Sequence, residues 1–376
     1  MKKIAWPLVV LGTVGYCLPA LAQSSVTLYG VVDDSIQYVH NVDGKSSRFA
    51  LQSGSQTASR WGLVGNEDLG GGLKAVFRLE NGFNINTGTL GQGGRMFGRQ
   101  AYVGLSSPVW GTVTLGRQYD AVRDLVEPLQ GNWAYEYTSA PGDVDNADNS
   151  IRFNNTIKWA SPSWSGLQFV TTYSAGGVAG SVGSGQSYSA AAGYTIGAFA
   201  VAGGVFHIDN GNPSVSARGT TTADSLFNSA VNSAYSTARG ITVARIAAQY
   251  TLGAVMVGGY YSFSQYSSDS ASAFRGSQRY NNGSVYAQWK MTPAFIGLIG
   301  YDYLKSAGNS SATYNQVTGA IDYLLSKRTD IYGMAGWTHA SGNNGLGAAQ
   351  AVIGSSDINS GANWQALAAV GIRHRF

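Results

Sequence analysis

Long hydrophobic runs are missing from this chain once the first two dozen positions are passed. The longest later runs, such as Ala198–Phe206 and Ala366–Ile372, are strand-sized and broken by glycine. Membrane-crossing helices are thereby excluded, because each needs about 18 or more apolar residues. Cysteine is nearly absent: the single one, Cys17, lies in the N-terminal segment, so the rest of the chain can form neither a disulfide nor a thiolate metal site. Charged residues are also scarce, at 12% against about 25% in ordinary soluble proteins. The net charge of +4 falls to +2 without Lys2 and Lys3, too little to suggest nucleic-acid binding. Proline is scarce at 8 residues, and no G-X-Y period accompanies the 51 glycines, so collagen is excluded. With 44% hydrophobic residues, disorder is excluded as well.

What is present begins with a leader. Lys2 and Lys3 precede a mostly apolar stretch, Ile4 to Leu18, and Ala20-Leu21-Ala22 fits a signal-peptidase site. Residues 1–22 are therefore expected to be removed and the mature chain to start at Gln23. The alternative is a buried N-terminal strand or an uncleaved anchor. Tyr16 before Cys17 is too large for a lipoprotein site.

The rest of the chain alternates with period two. Trp364, Ala366, Ala368, Val370, Ile372, His374 and Phe376 fall on one face of a strand, and Gln365, Arg373 and Arg375 on the other. Val285, Ala287 and Trp289 alternate with Ser284, Tyr286 and Gln288. Phe153, Ile157 and Trp159 alternate with Arg152, Asn154, Thr156 and Lys158; Phe77 and Leu79 alternate with Arg78 and Glu80. A soluble sandwich would alternate too. The placing of aromatics separates the two readings. Tyr29, Tyr38, Tyr173, Tyr260, Tyr261, Tyr301, Tyr303, Trp159 and Trp364 recur near strand ends, as in the interfacial girdles of a lipid-facing wall.

Connections alternate in length. Short ones include Ser106–Gly111, Ser161–Gly166, Ile196-Gly197 and Leu325–Thr329. Long ones include His40–Thr57, Asn84–Met96, Gln118–Ile151, His207–Gly240, Lys305–Ala312 and Ala340–Asn363. Tight turns on one rim and long loops on the other, with no free sheet edge in lipid, imply an all-β transmembrane antiparallel β-barrel of about 16 strands over 23–376.

At this point the sequence resembles a known family, the trimeric general porins of the Gram-negative outer membrane. The marks are Ser25-Val26-Thr27-Leu28-Tyr29-Gly30, Gly65-Asn66-Glu67-Asp68-Leu69-Gly70-Gly71-Gly72, Gly111-Thr112-Val113-Thr114-Leu115-Gly116-Arg117-Gln118 and the terminal Phe376. The resemblance implies a cleaved leader, outer-membrane lipids around a homotrimer, and a water-filled channel for ions and small hydrophilic solutes. It also implies that Phe376 is read by the barrel-assembly machinery. It further implies that one long loop, 118–151, folds into the lumen and sets its acids against wall arginines. Asp124-Leu125-Val126-Glu127-Pro128-Leu129-Gln130-Gly131 occupies the place of the family's constriction stretch. The resemblance thus marks Asp120, Asp124 and Glu127 as pore acids, with Glu136, Asp143, Asp145 and Asp148 on the same loop, and Arg78, Arg117 and Arg152 as the wall cations.

Strand parity adds Arg60, Lys74, Glu80 and Lys158 as further lumen residues. It agrees with a lumen position for Arg78 and Arg152, since an arginine facing lipid at mid-depth costs about 2–4 kcal/mol. Arg117 shares parity with Val113 and Leu115, so it needs a bulge at Gly116 to reach the lumen, or else it snorkels at the strand end. Asp34 shares parity with Leu28, Val32 and Ile36, and its carboxylate on the outer face suggests a subunit contact. Arginine outnumbers lysine 16 to 6 after position 22, which inclines the channel slightly towards anions. No nucleophile motif occurs, and Gly180–Ser187 has P-loop spacing with Gln186 where lysine is required. The histidines at 40, 207, 339 and 374 lack metal-ligand spacing, so no metal, cofactor or catalysis is expected. The alternatives are a substrate-selective channel, a closed barrel acting as an adhesin or anchor, and an outer-membrane hydrolase.

Overall fold

The computed structural model describes residues 24–131, 138–209 and 226–376. The expected leader at 1–22, the start at Gln23 and the loop acid Glu136 lie outside the described residues. The chain forms one closed antiparallel barrel. Its strands are β1 (Ser25–Val42), β2 (Lys45–Ser53), β3 (Arg60–Gly70), β4 (Leu73–Gly82), β5 (Gln100–Ser107), β6 (Gly111–Gln118), β7 (Phe153–Ala160), β8 (Leu167–Ser174) and β9 (Ser187–Ile196). They continue with β10 (Phe199–Asp209), β11 (Gly240–Leu252), β12 (Val255–Ser267), β13 (Ser277–Lys290), β14 (Phe295–Gly308), β15 (Ala312–Leu324), β16 (Thr329–Gly342) and β17 (Trp364–Arg375). From β3 onward each pairs with its successor, β2 and β3 both pair with β1, and β1 closes the ring on β17, from Val31 opposite Arg375 to His40 opposite Ala366.

Seventeen strand segments make 16 staves. β2 pairs with the second half of β1 and β3 with its first half, so the two are one stave. Asp34 faces Ser53 while Val31 faces Arg60, so residues 54–59 form an insertion into that stave. Ser55, Gln56 and Ser59 of the insertion are buried.

Alternation places the apolar side chains outside. Val370, Ile372, Val285, Ile299, Leu115 and Ile157 are exposed, and their neighbours in sequence are buried or half-buried on the inner wall. Two tyrosines expected in the girdles point inward instead: Tyr260 is buried, and the Tyr29 hydroxyl donates to Glu80 at 2.7 Å. Tyr173, Tyr261, Tyr301 and Tyr303 are exposed outside. Phe153 also differs from its expected outer face. A register shift sets Gly116 opposite Thr156 but Gln118 opposite Phe153, and Asn155 takes a positive φ of 52°. This extra residue in β7 turns Phe153 into the lumen, where it packs edge-on against Phe206.

Two connections expected to be long are tight, because their strands run beyond the barrel rim. β1 turns into β2 through Asp43-Gly44, and β14 into β15 through 309–311. The lumen is not uniformly wet either. Val122, Val126, Leu129 and Val144 of the loop after β6 pack with Leu226, Val231 and Tyr235, with Ala351 and Val352, and with Phe206, Tyr266, Tyr280 and Leu304 of the wall. Burying each such aliphatic side chain is worth about 1.5–3 kcal/mol, which offsets the ordering of the loops. An apolar core therefore fills the β10–β15 side of the lumen, and a cavity remains against β3–β7.

Candidate functional site: a charged constriction

The loop after β6 is held as a solid part. Asp120 begins it: its Oδ1 accepts from the backbone N–H groups of Val122 and Arg123 at 2.8 and 3.0 Å, capping the helix Ala121–Leu125. Ala121 N donates to Ser189 Oγ, and Ala140 N to Tyr260 Oη. Tyr266 and Tyr286 donate to the carbonyls of Val144 and Leu129, Arg245 donates to Gln130 Oε1, and Gln316 donates to the Ser139 carbonyl. Asp145 accepts from Ser262, and Asp148 from Ser355. Asp143 accepts from Ser150 Oγ at 2.5 Å and from Asp148 N at 2.8 Å. Burial, with Asp145 beside it, pushes its carboxyl up to about 7.

The helix faces the wall across two chambers. The one towards the short-turn rim holds about 480 Å3. Its charged lining is Arg60, Arg78, Arg99, Arg123 and Lys158 against Glu80 and Asp124, a surplus of three positive charges among the described residues. The one towards the long loops holds about 430 Å3, with Arg60, Arg99, Arg123 and Arg152 against Glu127, Asp148 and Asp357. Arg60, Arg99 and Arg123 line both, so the two chambers adjoin at these three residues.

The acids are engaged. Lys158 Nζ stands 2.5 Å from Asp124, Arg123 Nε 2.7 Å from Glu127, and Arg99 Nε 2.8 Å from Glu80. Burial works against the charge on Arg123, but Glu127, Tyr119 and Asp124 outweigh it and hold its pKa above the usual value. Arg78 makes no ion pair among the described residues; its guanidinium lies 5.5 Å from the Tyr29 ring centroid. Tyr119 carries Arg123 at 4.3 Å and Arg152 at 5.5 Å from its ring centroid.

The structure thus brings Arg60, Arg78, Glu80, Asp124, Glu127, Arg152 and Lys158 together around the chambers. Three expected residues stand elsewhere. Asp120 is 1% exposed and occupied as the helix cap, and burial raises its pKa. Lys74 is exposed at the short-turn rim, opposite Asp68. Arg117 lines neither chamber. The bulge is where it was expected, but its extra residue is on β7, so β6 keeps its alternation and presents Thr114 and Gln118 to the lumen. Gly116 has φ of 137°, and a Cβ there would meet the Ala101 carbonyl. Arg117 donates from Nε to the Gly98 carbonyl at 2.8 Å and from Nη1 to the carbonyl of Arg152 and to Asn154 Oδ1. It clamps the strand ends together.

Arg99 and Arg123 were not among the expected site residues. Arg99 ends the irregular segment before β5, where strand parity gives no signal. Arg123 had one: an aspartate three residues before it at a helix start, and Glu127 at i+4. Phe376 sits at the barrel seam, exchanging backbone hydrogen bonds with Gly30 at 3.0 Å each way. Its ring lies so near Gly30 that a Cβ there would clash.

A family model described as Gram-negative porin matches residues 8–343. An outer membrane porin protein of Bordetella pertussis is 41% identical over 174 residues, covering 43% of this chain and 45% of that one. The chain spans about half the length of the curated relatives it matches at 38–41% identity. Against the major outer membrane protein P.IB of Neisseria gonorrhoeae the match is 26% identical and covers 85% of this chain and 90% of that one. Among solved structures, the anion-selective porin from Comamonas acidovorans superposes with a TM-score of 0.75 at 23% identity, over 94% of this chain and 100% of that one.

Proposed function

The chain belongs to the Gram-negative porin family, an outer-membrane barrel, and on that premise we propose that it is a passive diffusion channel for ions and small hydrophilic solutes. The observation that carries this is the pair of chambers meeting at Arg60, Arg99 and Arg123. Cations on both the wall and the loop face the passage, with loop acids Asp124 and Glu127 beside them. Such opposed groups make a transverse field that orients dipolar solutes, and the net sign of the lining biases the ion that passes. No catalytic step and no energy input is involved.

The surplus positive charge of the chamber towards the short turns favours anions. The anion-selective porin from Comamonas acidovorans, similar in fold, agrees with that direction. Each copy of a homotrimer would carry its own pore. Asp34 supports the trimer: it faces outward, half-buried, with its carboxylate accepting only from Ser35 N among the described residues, and a lipid-facing carboxylate is costly. The terminal Phe376 would present the signal for barrel assembly.

Planar-bilayer recording tests the channel. Conductance steps in groups of three and swelling of solute-loaded liposomes are expected. Folded protein that left bilayers silent would refute it, and would favour a closed anchor, a reading that the packed half of the lumen makes worth excluding.

A further inference from the structure

We propose that Tyr119 is the positioning residue that sets the charge geometry of the constriction, its ring face holding Arg152 in place, with its charge intact, beside the Glu127-paired Arg123. The inference rests on the channel reading and adds to it the device that keeps the pore positive. Tyr119 is the first residue after β6, and Arg152 is the last before β7, so the two stand at the neck of the inward loop. Arg123 comes from the loop's helix, one turn beyond. The ring is thus reached by a guanidinium from the loop's helix and another from its exit, at 4.3 and 5.5 Å.

Two like charges brought this close repel, and something must hold them. For Arg123 the carboxylate of Glu127 does so at 2.7 Å, cancelling charge. The negative face of an aromatic ring attracts a cation and leaves its charge intact for the pore. Arg152 makes no ion pair among the described residues; its guanidinium donates to the Ser150 carbonyl at 3.4 Å and lies over the Tyr119 ring. Tyr119 is 2% exposed, and its hydroxyl is buried with no hydrogen-bond partner among the described residues. The hydroxyl therefore anchors neither guanidinium by a hydrogen bond among the described residues, and the ring face does the positioning.

That asymmetry gives the test. Wild type, Tyr119→Phe, Tyr119→Leu and a protein with pentafluorophenylalanine at 119 are compared by reversal potential in a salt gradient and by single-channel conductance. Tyr119→Phe keeps the face and should match wild type. Pentafluorophenylalanine keeps the ring's shape, so folding is preserved, but it reverses the sign of the face. It and Tyr119→Leu should lower the anion-to-cation permeability ratio by about two- to fivefold, the population shift expected on losing one cation–π contact. Channels should still open in all four. A fluorinated protein with the wild-type reversal potential, or a Tyr119→Phe protein as shifted as Tyr119→Leu, overturns the role of the ring. A silent wild type would instead refute the channel itself.

Discussion

Removing the charge of Arg78 tests the electrostatic account most directly, because no carboxylate pairs with it among the described residues. Arg78→Gln reduces the surplus in the chamber towards the short turns from three positive charges to two among the described residues. That chamber holds about 480 Å3, so a central ion sits roughly 5 Å from the lining, where one unit charge acts in water with about 0.8 kcal/mol. Screening over a Debye length of about 10 Å at 0.1 M salt leaves about 0.5 kcal/mol. Anions then lose about twofold in occupancy and cations gain as much, so the permeability ratio moves about fivefold towards cations. At 1 M the Debye length is about 3 Å, the remaining effect is about 0.15 kcal/mol, and the ratio moves less than about twofold. Zero-current potentials across a tenfold gradient, at both salt levels, read this out. An unchanged potential at low salt, or a shift of equal size at high salt, would refute the reasoning, because the first denies the charge its influence and the second denies screening.

Arg117→Gln should behave differently from Arg78→Gln: Arg117 lines neither chamber and donates to the carbonyls of Gly98 and Arg152 and to Asn154. Reversal potential should stay at the wild-type value while the unfolding temperature in detergent falls. A selectivity shift as large as that of Arg78→Gln would place it in the pore after all. Asp120→Ala removes the helix cap and should cost about 1 kcal/mol locally, seen as faster amide exchange at Val122 and Arg123; unchanged exchange counts against the cap. For Asp143, the folded carboxyl is raised to about 7 from the ordinary 3.8, so the folded loop holds a proton that an opened loop gives up. The loop's anchorage is then strongest below about pH 4, weakens as pH rises towards 7, and levels off above. Protease cleavage within 138–151 should increase across that window in wild type and lose the slope in Asp143→Asn; equal slopes would assign the effect to another acid.

The barrel was legible because each strand repeats one local rule. The faces of β11, β13 and β17 follow directly from alternation, and so do the lumen positions of Arg60, Arg78 and Lys158. Legibility failed where a single residue breaks the count. The extra residue at Asn155 reversed Phe153 and left Arg117 behind the wall, and only pairing partners reveal on which strand a bulge sits. It failed again inside the long loops. Asp120 and Asp124 are four residues apart and equally acidic, yet one caps a helix and the other meets Lys158. The resemblance suggested a pore acid for both, and no periodic pattern separates their roles. The inward packing of Val231 and Val352 has no sequence signal, because neither lies in a strand or a periodic helix.

That packing explains why the positive lining can persist. A guanidinium without an acid partner holds its place only if its neighbours are fixed, since an adaptable loop would bring a carboxylate to it or let it turn away. A stave count of 16 encloses more space than a narrow filter requires. Here one side of that space is occupied by an apolar core that backs the loop, with Val122, Val126 and Leu129 against it and Arg123, Asp124 and Glu127 turned to the passage. Loop and wall then act as two rigid surfaces, and the width between them is set by packing rather than by ion pairing. Weakening the core, as with Val126→Ala, should therefore broaden the distribution of single-channel conductances before it changes the reversal potential. The reverse order would mean that the charges, and not the core, hold the loop in place.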